Sequence, residues 1–144
     1  MRRLACAFAM VAFVAMVAPV VAAPDALELV VIVHPSRAGV LSRETVQRMY
    51  LKRQRFWDDG RAIVAINQET ATPARDAFTR LVFGDEAARL PAYWNEQYFH
   101  GVLPPIILGS EEAVVRYVAS RSDAIGYVDA RHVDASVAVA LRLH

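Results

Sequence analysis

The sequence predicts an α/β domain of three layers, with helices on both faces of a mixed, largely parallel sheet. Three observations carry that expectation. Short β-branched apolar runs alternate with segments of helical periodicity along most of the chain. Helix-start signals stand at Ser42, at Thr72-Pro73 and at Ser110, each ahead of a periodic segment. No internal repeat, low-complexity tract or interdomain linker breaks the alternation, so one compact domain is expected.

Residues 27–33 form an apolar run that stops at His34-Pro35-Ser36, which reads as a buried strand ended by a turn. Ser42 then caps a helix with Val46, Met49 and Tyr50 on one face. The turn Asp58-Asp59-Gly60 leads into a second buried strand over residues 62–66. After it, Thr72 as cap and Pro73 at the first helical position start a helix carrying Ala74, Ala77, Phe78, Leu81 and Val82, closed by Gly84. Proline is suited to that position because its missing N–H would have no partner there. A further helix from near Pro91 to Gly101 places Tyr93, Trp94, Gln97 and Tyr98 at helical spacing.

Pro104-Pro105 introduces a short strand over residues 106–108. Ser110-Glu111-Glu112 opens a helix whose first-turn acids complement its dipole, with Ala113, Val114, Tyr117 and Val118 as the buried face. Residues 124–128 and 137–141 read as two last strands.

Met1-Arg2-Arg3 is followed by an apolar stretch from Leu4 to Val21 and by small residues before Pro24. This is the pattern of a secretory signal over residues 1–22, cut after Ala22, leaving an α/β domain over residues 23–144 in the periplasm. The alternative is a retained membrane anchor, because roughly 18 apolar residues nearly span a bilayer. The only cysteine, Cys6, lies inside this segment, which leaves the exported domain without a disulfide, a thiol nucleophile or a cysteine metal site. Loss of Arg2 and Arg3 shifts the formal charge from +1 to −1. So balanced a domain has no global field for nucleic acid or an anionic membrane, and a charged ligand must be chosen by a local site.

In sheets of this kind ligands sit beyond the carboxyl ends of the strands, where loops meet helix N-termini. Two loops meet that description, His34 to Gly39 with Ser36 and Arg37, and Asn67 to Thr72 with Thr70, Thr72 and the nearby Arg75. Hydroxyls, an arginine and the amides at the start of a helix suit a small oxyanion. Glu69 in the second loop opposes one unless its carboxylate turns away. The same residues also have plain structural uses, Thr72 as a cap, Thr70 in a turn and Arg75 facing water.

The segment at 41–57, Leu-Ser-Arg-Glu-Thr-Val-Gln-Arg-Met-Tyr-Leu-Lys-Arg-Gln-Arg-Phe-Trp, resembles phosphate ABC-transporter substrate-binding proteins of the type II periplasmic binding fold. There an Ile-Phe-x-Gly-Lys segment precedes a tryptophan; Met49, Tyr50, Arg53 and Trp57 match it, and Lys52 replaces the glycine. Ala-Ile-Gly-Tyr-Val at 124–128 is similar to the closing strand of that family. The resemblance implies one lobe of a two-lobed clamp, transport-linked binding of phosphate or a similar oxyanion, no enzymatic activity and no cofactor. The family's Arg-x-x-Gly-Ser-Gly-Thr loop sets Gln68, Thr72, Pro73 and Ala74 at its Arg, Ser, Gly and Thr positions, so only Thr72 keeps a hydroxyl. Glutamine cannot supply the charge and planar donor fork of an arginine. Partners implied are membrane subunits of a transporter or a sensor protein, with self-association as another way to complete a clamp; the alternative is an interaction module that keeps the fold without carrying solute.

Other chemistry has little support. His34, His100, His132 and His144 show no helical metal spacing, although His132 and Asp134 share a strand-like spacing. His34 as a base lacks a nucleophile motif. The aromatic group Tyr93, Trp94, Tyr98 and Phe99 is expected to pack in the core, and Lys52, Arg53 and Arg55 to form a solvated helix end.

Overall fold

A computed structural model describes residues 26–144, so the expected signal segment and its cleavage point lie outside the described residues. Five strands form one sheet: β1 (Leu29–Val33), β2 (Val64–Gln68), β3 (Ile106–Leu108), β4 (Ala124–Asp129) and β5 (Ala138–Leu143), in the order β3-β2-β4-β1-β5. The pairs β2/β3 and β2/β4 are parallel, whereas β1 is antiparallel to both β4 and β5. Four strands therefore run one way and β1 alone runs against them. The expected mixed, largely parallel sheet is present.

The helices make the outer layers. On one face lie α1 (Arg43–Tyr50) and α2 (Pro73–Phe78), packed on Leu29, Val31, Val33, Ile125 and Tyr127. On the other lies α4 (Glu111–Ser120), packed on Val30, Ile32, Ile66 and Val128. Successive β1 residues thus feed alternate cores, which is why all five are buried. Ser42, Thr72 and Ser110 cap their helices as expected, each hydroxyl accepting the backbone N–H three residues on. Gly84, at φ 52°, closes a wide turn over Thr79–Phe83 that prolongs α2.

Several expectations are corrected. The second strand begins at Val64, because Ala62 bridges back to Phe56 in a separate pairing. The last strand runs on to Leu143, whose partner across β1 is Leu29. The buried residues of α4 are Val114, Val115 and Val118, with Ala113 and Tyr117 only half-buried. On α3 (Leu90–Phe99), Tyr93 and Trp94 pack against the core, but Tyr98 and Phe99 are 65% and 79% exposed. Helical spacing put all four on one element; Leu90, Tyr93 and Trp94 make its core contacts, and the last turn of α3 lies beyond them and is exposed.

Gly126 marks the closest approach of α4 to the sheet. A Cβ there would lie 2.6 Å from Val114 Cγ1 and 3.3 Å from Val118 Cγ2. Valine methyls on a helix held in a core cannot swing aside. Gly126→Ala is expected to cost about 1–3 kcal/mol through overpacking, read as a lower urea midpoint with an unchanged m-value.

Candidate functional site

The reversed direction of β1 decides which residues can share a site. Val33 pairs with Ile125 while Val64 pairs with Ala124, so β1 ends beside the starting ends of β2 and β4. Ser36 and Arg37 therefore lie at the opposite end of the sheet from Thr70, Thr72 and Arg75. The structure does not bring the five expected residues together.

At the starting end, Arg37 serves the fold. Its Nε donates to the Ser122 carbonyl, its Nη2 pairs with Asp59 Oδ2 at 2.8 Å, and its guanidinium lies 4.6 Å from the centre of the Trp57 ring. Trp57 in turn donates from Nε1 to the Asp123 carbonyl at 2.9 Å. Ser36 Oγ lies 2.8 Å from His34 Nδ1, which also accepts the Ser36 backbone N–H at 3.1 Å. That pair caps the short turn Pro35–Arg37.

At the carboxyl ends of the parallel strands, the loop after β2 is built on Tyr127. Its ring stacks on Phe78 with centroids 3.9 Å apart and planes within 7°, and Phe78 meets Tyr50 at 4.6 Å. The Tyr127 hydroxyl donates to Asn67 Oδ1 at 2.6 Å and accepts the Gln68 N–H at 3.1 Å. The Gln68 side chain is buried, its Nε2 donating to the Tyr127 carbonyl at 2.9 Å. Burial pushes the pKa of the Tyr127 hydroxyl up, and the Gln68 amide and the Arg75 charge oppose that shift. Tyr50 is raised further, chiefly by its complete burial.

From this base the chain turns through Ala71 at φ 64°, an uncommon conformation for a residue with a Cβ. Ala71 occupies the first glycine position of the Arg-x-x-Gly-Ser-Gly-Thr frame. Lys52, at φ 57°, likewise stands where the resembling helix segment carries its glycine. Both residues hold the left-handed backbone that glycine adopts without steric cost. Thr72 Oγ1 donates to the Glu69 carbonyl at 3.0 Å and accepts the Arg75 N–H at 3.3 Å, so it acts as a cap. Arg75 folds back, its Nη1 donating to the Gln68 carbonyl at 3.1 Å. It is half-buried and forms no ion pair with a carboxylate among the described residues. Glu69 is turned toward Gly109, its Oε1 3.5 Å from where a Cβ would stand on that glycine.

Arg75 divides two spaces. Inward, a cavity of about 20 Å³ between Asn67, Phe78, Trp94 and Pro105 has room for about one water molecule. Outward, an open groove of about 450 Å³ runs past Thr70, Ala71, Asp76, Thr79, Arg80 and Leu90. A tetrahedral oxyanion fits only the outer one.

A second polar cluster, missed in the sequence, closes the end of β4. Asp129 is buried and pairs with Arg131 Nη2 at 2.8 Å, while its N–H donates to Glu111 Oε2 at 2.5 Å. The His132 ring nitrogens lie 3.1 Å from Glu111 Oε2 and 3.3 Å from Glu112 Oε1. The weak signal for it was the acid pair opening α4, read only as dipole complement. Among the described residues no group of three or more His, Cys, Asp or Glu side chains is placed to hold a metal ion.

No protein-family model matches the sequence, and no curated protein matches it. Solved structures do. An ABC-type phosphate transport receptor from Vibrio cholerae superposes with a TM-score of 0.61 at 18% identity, over 78% of this chain and 45% of the receptor. A protein described as a phosphate ABC transporter substrate-binding protein from Clostridium perfringens, with bound phosphate, gives 0.63 at 21% identity over 78% and 44%. The chain has the fold of one lobe of phosphate-transport binding proteins. PstS from Borrelia burgdorferi agrees, with 0.60 at 13% identity over 78% of this chain and 46% of its own. The chain spans under half the length of each of these receptors. The first is a transport receptor and the second a substrate-binding protein by description, and at these identities the likeness is one of fold.

Two outcomes test the site's foundation. Tyr127→Phe removes the hydroxyl and strands the buried Gln68 N–H, for an expected loss of about 1–3 kcal/mol in urea unfolding. Asp129 is held below the ordinary aspartate range, first by its hydrogen bond from Arg131. A lowered folded-state pKa contributes stability above the unfolded value of about 3.9, and that stability disappears as pH falls through the folded one. Asp129→Asn should therefore be less stable than wild type near neutrality, and the gap should close in acid; a gap independent of pH would contradict the ion-pair assignment.

Proposed function

We propose that this chain is an exported solute-binding module of the phosphate-receptor type, linked to ABC-type transport, that binds phosphate or a similar small oxyanion in the groove beside α2. One observation carries the reading: Arg75 is a half-buried guanidinium with no carboxylate partner among the described residues, at the carboxyl end of the parallel strands. A guanidinium outside any ion pair has donors to spare for an anion, and of the other charged groups on the groove Arg80 adds to its attraction while Asp76 opposes it. Thr70 lines the same groove, Thr72 holds the loop in shape, and Glu69 is turned toward β3. Ser36 and Arg37 have no part in it. The N-terminal pattern over residues 1–22 supports export to the periplasm.

The groove is open to water, so each charge-assisted contact is screened. A dissociation constant on the order of 1 mM, about −4 kcal/mol, is expected of the chain alone. At about ten times that concentration phosphate should stabilise the fold by about 1.4 kcal/mol. Calorimetry and thermal melts with phosphate and sulfate measure both quantities. Arg75→Ala should abolish the response, whereas Arg37→Ala should lower the melting temperature and leave the response intact. No heat and no stabilisation in the wild type at tens of millimolar anion, on the order of ten times the expected constant, would sink the reading.

A second reading, an interaction module for a transporter subunit or sensor, is favoured by the apolar side chains exposed along β3. A folded protein indifferent to every anion would select it.

A further inference from the structure

One surface hollow, beside the end of α1, joins uncovered apolar side chains to two cations. It measures about 300 Å³ and lies between the segment from Lys52 to Phe56, the pair Ala62-Ile63, and residues 101–103 after α3. Backbone contacts hold its walls. Phe56 bridges Ala62, the Ile63 N–H donates to the Arg55 carbonyl at 2.8 Å, and the Val102 N–H donates to the Gln97 carbonyl at 3.0 Å. Gly101, at φ 73°, turns the chain out of α3 and delivers Val102 and Leu103 to the hollow. Ile63 is buried, whereas Phe56 and Leu103 are 58% and 66% exposed.

The charged residues of the hollow are Lys52 and Arg55, and no carboxylate lines it. The Arg55 Nε donates to the Lys52 carbonyl at 3.2 Å, which keeps the two residues together, and neither forms an ion pair among the described residues. Lys52 is half-buried rather than fully solvated as its place in the sequence suggested. Burial lowers the pKa of its ammonium group, and the Arg55 charge lowers it further. Two like charges at one apolar wall repel each other, and an anion beside them would relieve that repulsion.

We infer that this hollow binds a small carboxylate bearing an apolar chain or ring, with Lys52 and Arg55 on the carboxylate and Phe56, Val102 and Leu103 against the apolar part. Sites for small molecules combine apolar walls with a few polar groups that fix orientation, and about 300 Å³ is the lower end of their size range. A carboxylate suits the hollow better than a phosphate dianion, because a single charge costs less to draw from water against an apolar wall. The hollow shares no lining residue with the groove beside α2, so the two sites stand or fall separately.

NMR titration of the exported protein with hexanoate, acetate and hexan-1-ol tests it, read at the methyl signals of Val102 and Leu103. Hexanoate should shift them saturably, with a dissociation constant on the order of 1–10 mM. Acetate lacks the apolar part and hexan-1-ol the charge, so each should bind about fivefold more weakly or worse. Lys52→Asn, which tolerates the left-handed backbone, and Arg55→Gln should each weaken hexanoate about threefold or more with circular dichroism unchanged. Leu103→Ser should also weaken it, read at Val102, whereas Arg75→Ala should leave the titration as in wild type. Three results would each overturn the inference: no shift at Val102 and Leu103 with hexanoate at about ten times the expected constant, hexan-1-ol binding as tightly as hexanoate, or undiminished binding in both charge variants.

Discussion

The stack of Tyr127 on Phe78, with Tyr50 behind it, is the contact through which sheet, helices and candidate site are joined. Tyr127 comes from β4, Phe78 from α2 and Tyr50 from α1, so three elements meet in one pair of ring contacts. The hydroxyls reach the ends of the same strands, Tyr50 donating to the Ile66 carbonyl at 2.8 Å and Tyr127 bridging Asn67 and Gln68. Aromatic packing and backbone satisfaction are thus one structure. The loop that opens α2 rests on it and inherits its rigidity.

That rigidity explains how the loop holds bends that residues with a Cβ rarely adopt. Ala71 and Lys52 both hold left-handed backbone where glycine has no steric cost. Each strain is local and modest, and a well-packed base holds it in place. Gln68 lies in the core as a neutral clamp on β4, and Arg75, in the first turn of α2, folds back to donate to the Gln68 carbonyl.

The two ends of the sheet have divided their work. At the starting ends of the parallel strands, Arg37, Asp59, Trp57 and the carbonyls of Ser122 and Asp123 tie loops together. At the carboxyl ends, Arg75 keeps donors in reserve beside an open groove, while the Asp129–Arg131 pair and the carboxylates around His132 close the neighbouring corner. The uncovered β3 edge is a third, separate surface, apolar where the others are polar.

Much of the fold was written in local pattern. The caps at Ser42, Thr72 and Ser110, the glycine stop at 84 and all five strands follow from hydrogen-bonding and periodicity rules that act within a few residues. The α2 loop, with Thr70, Thr72 and Arg75, was visible for the same reason. What no local rule contains is the direction in which a strand enters its sheet. The antiparallel placement of β1 separated Ser36 and Arg37 from the other three residues, and the reach of α3 and α4 decided that Tyr98, Phe99, Ile106 and Ile107 would face water. Those outcomes depend on contacts between residues far apart in the chain, so only the assembled sheet could settle them.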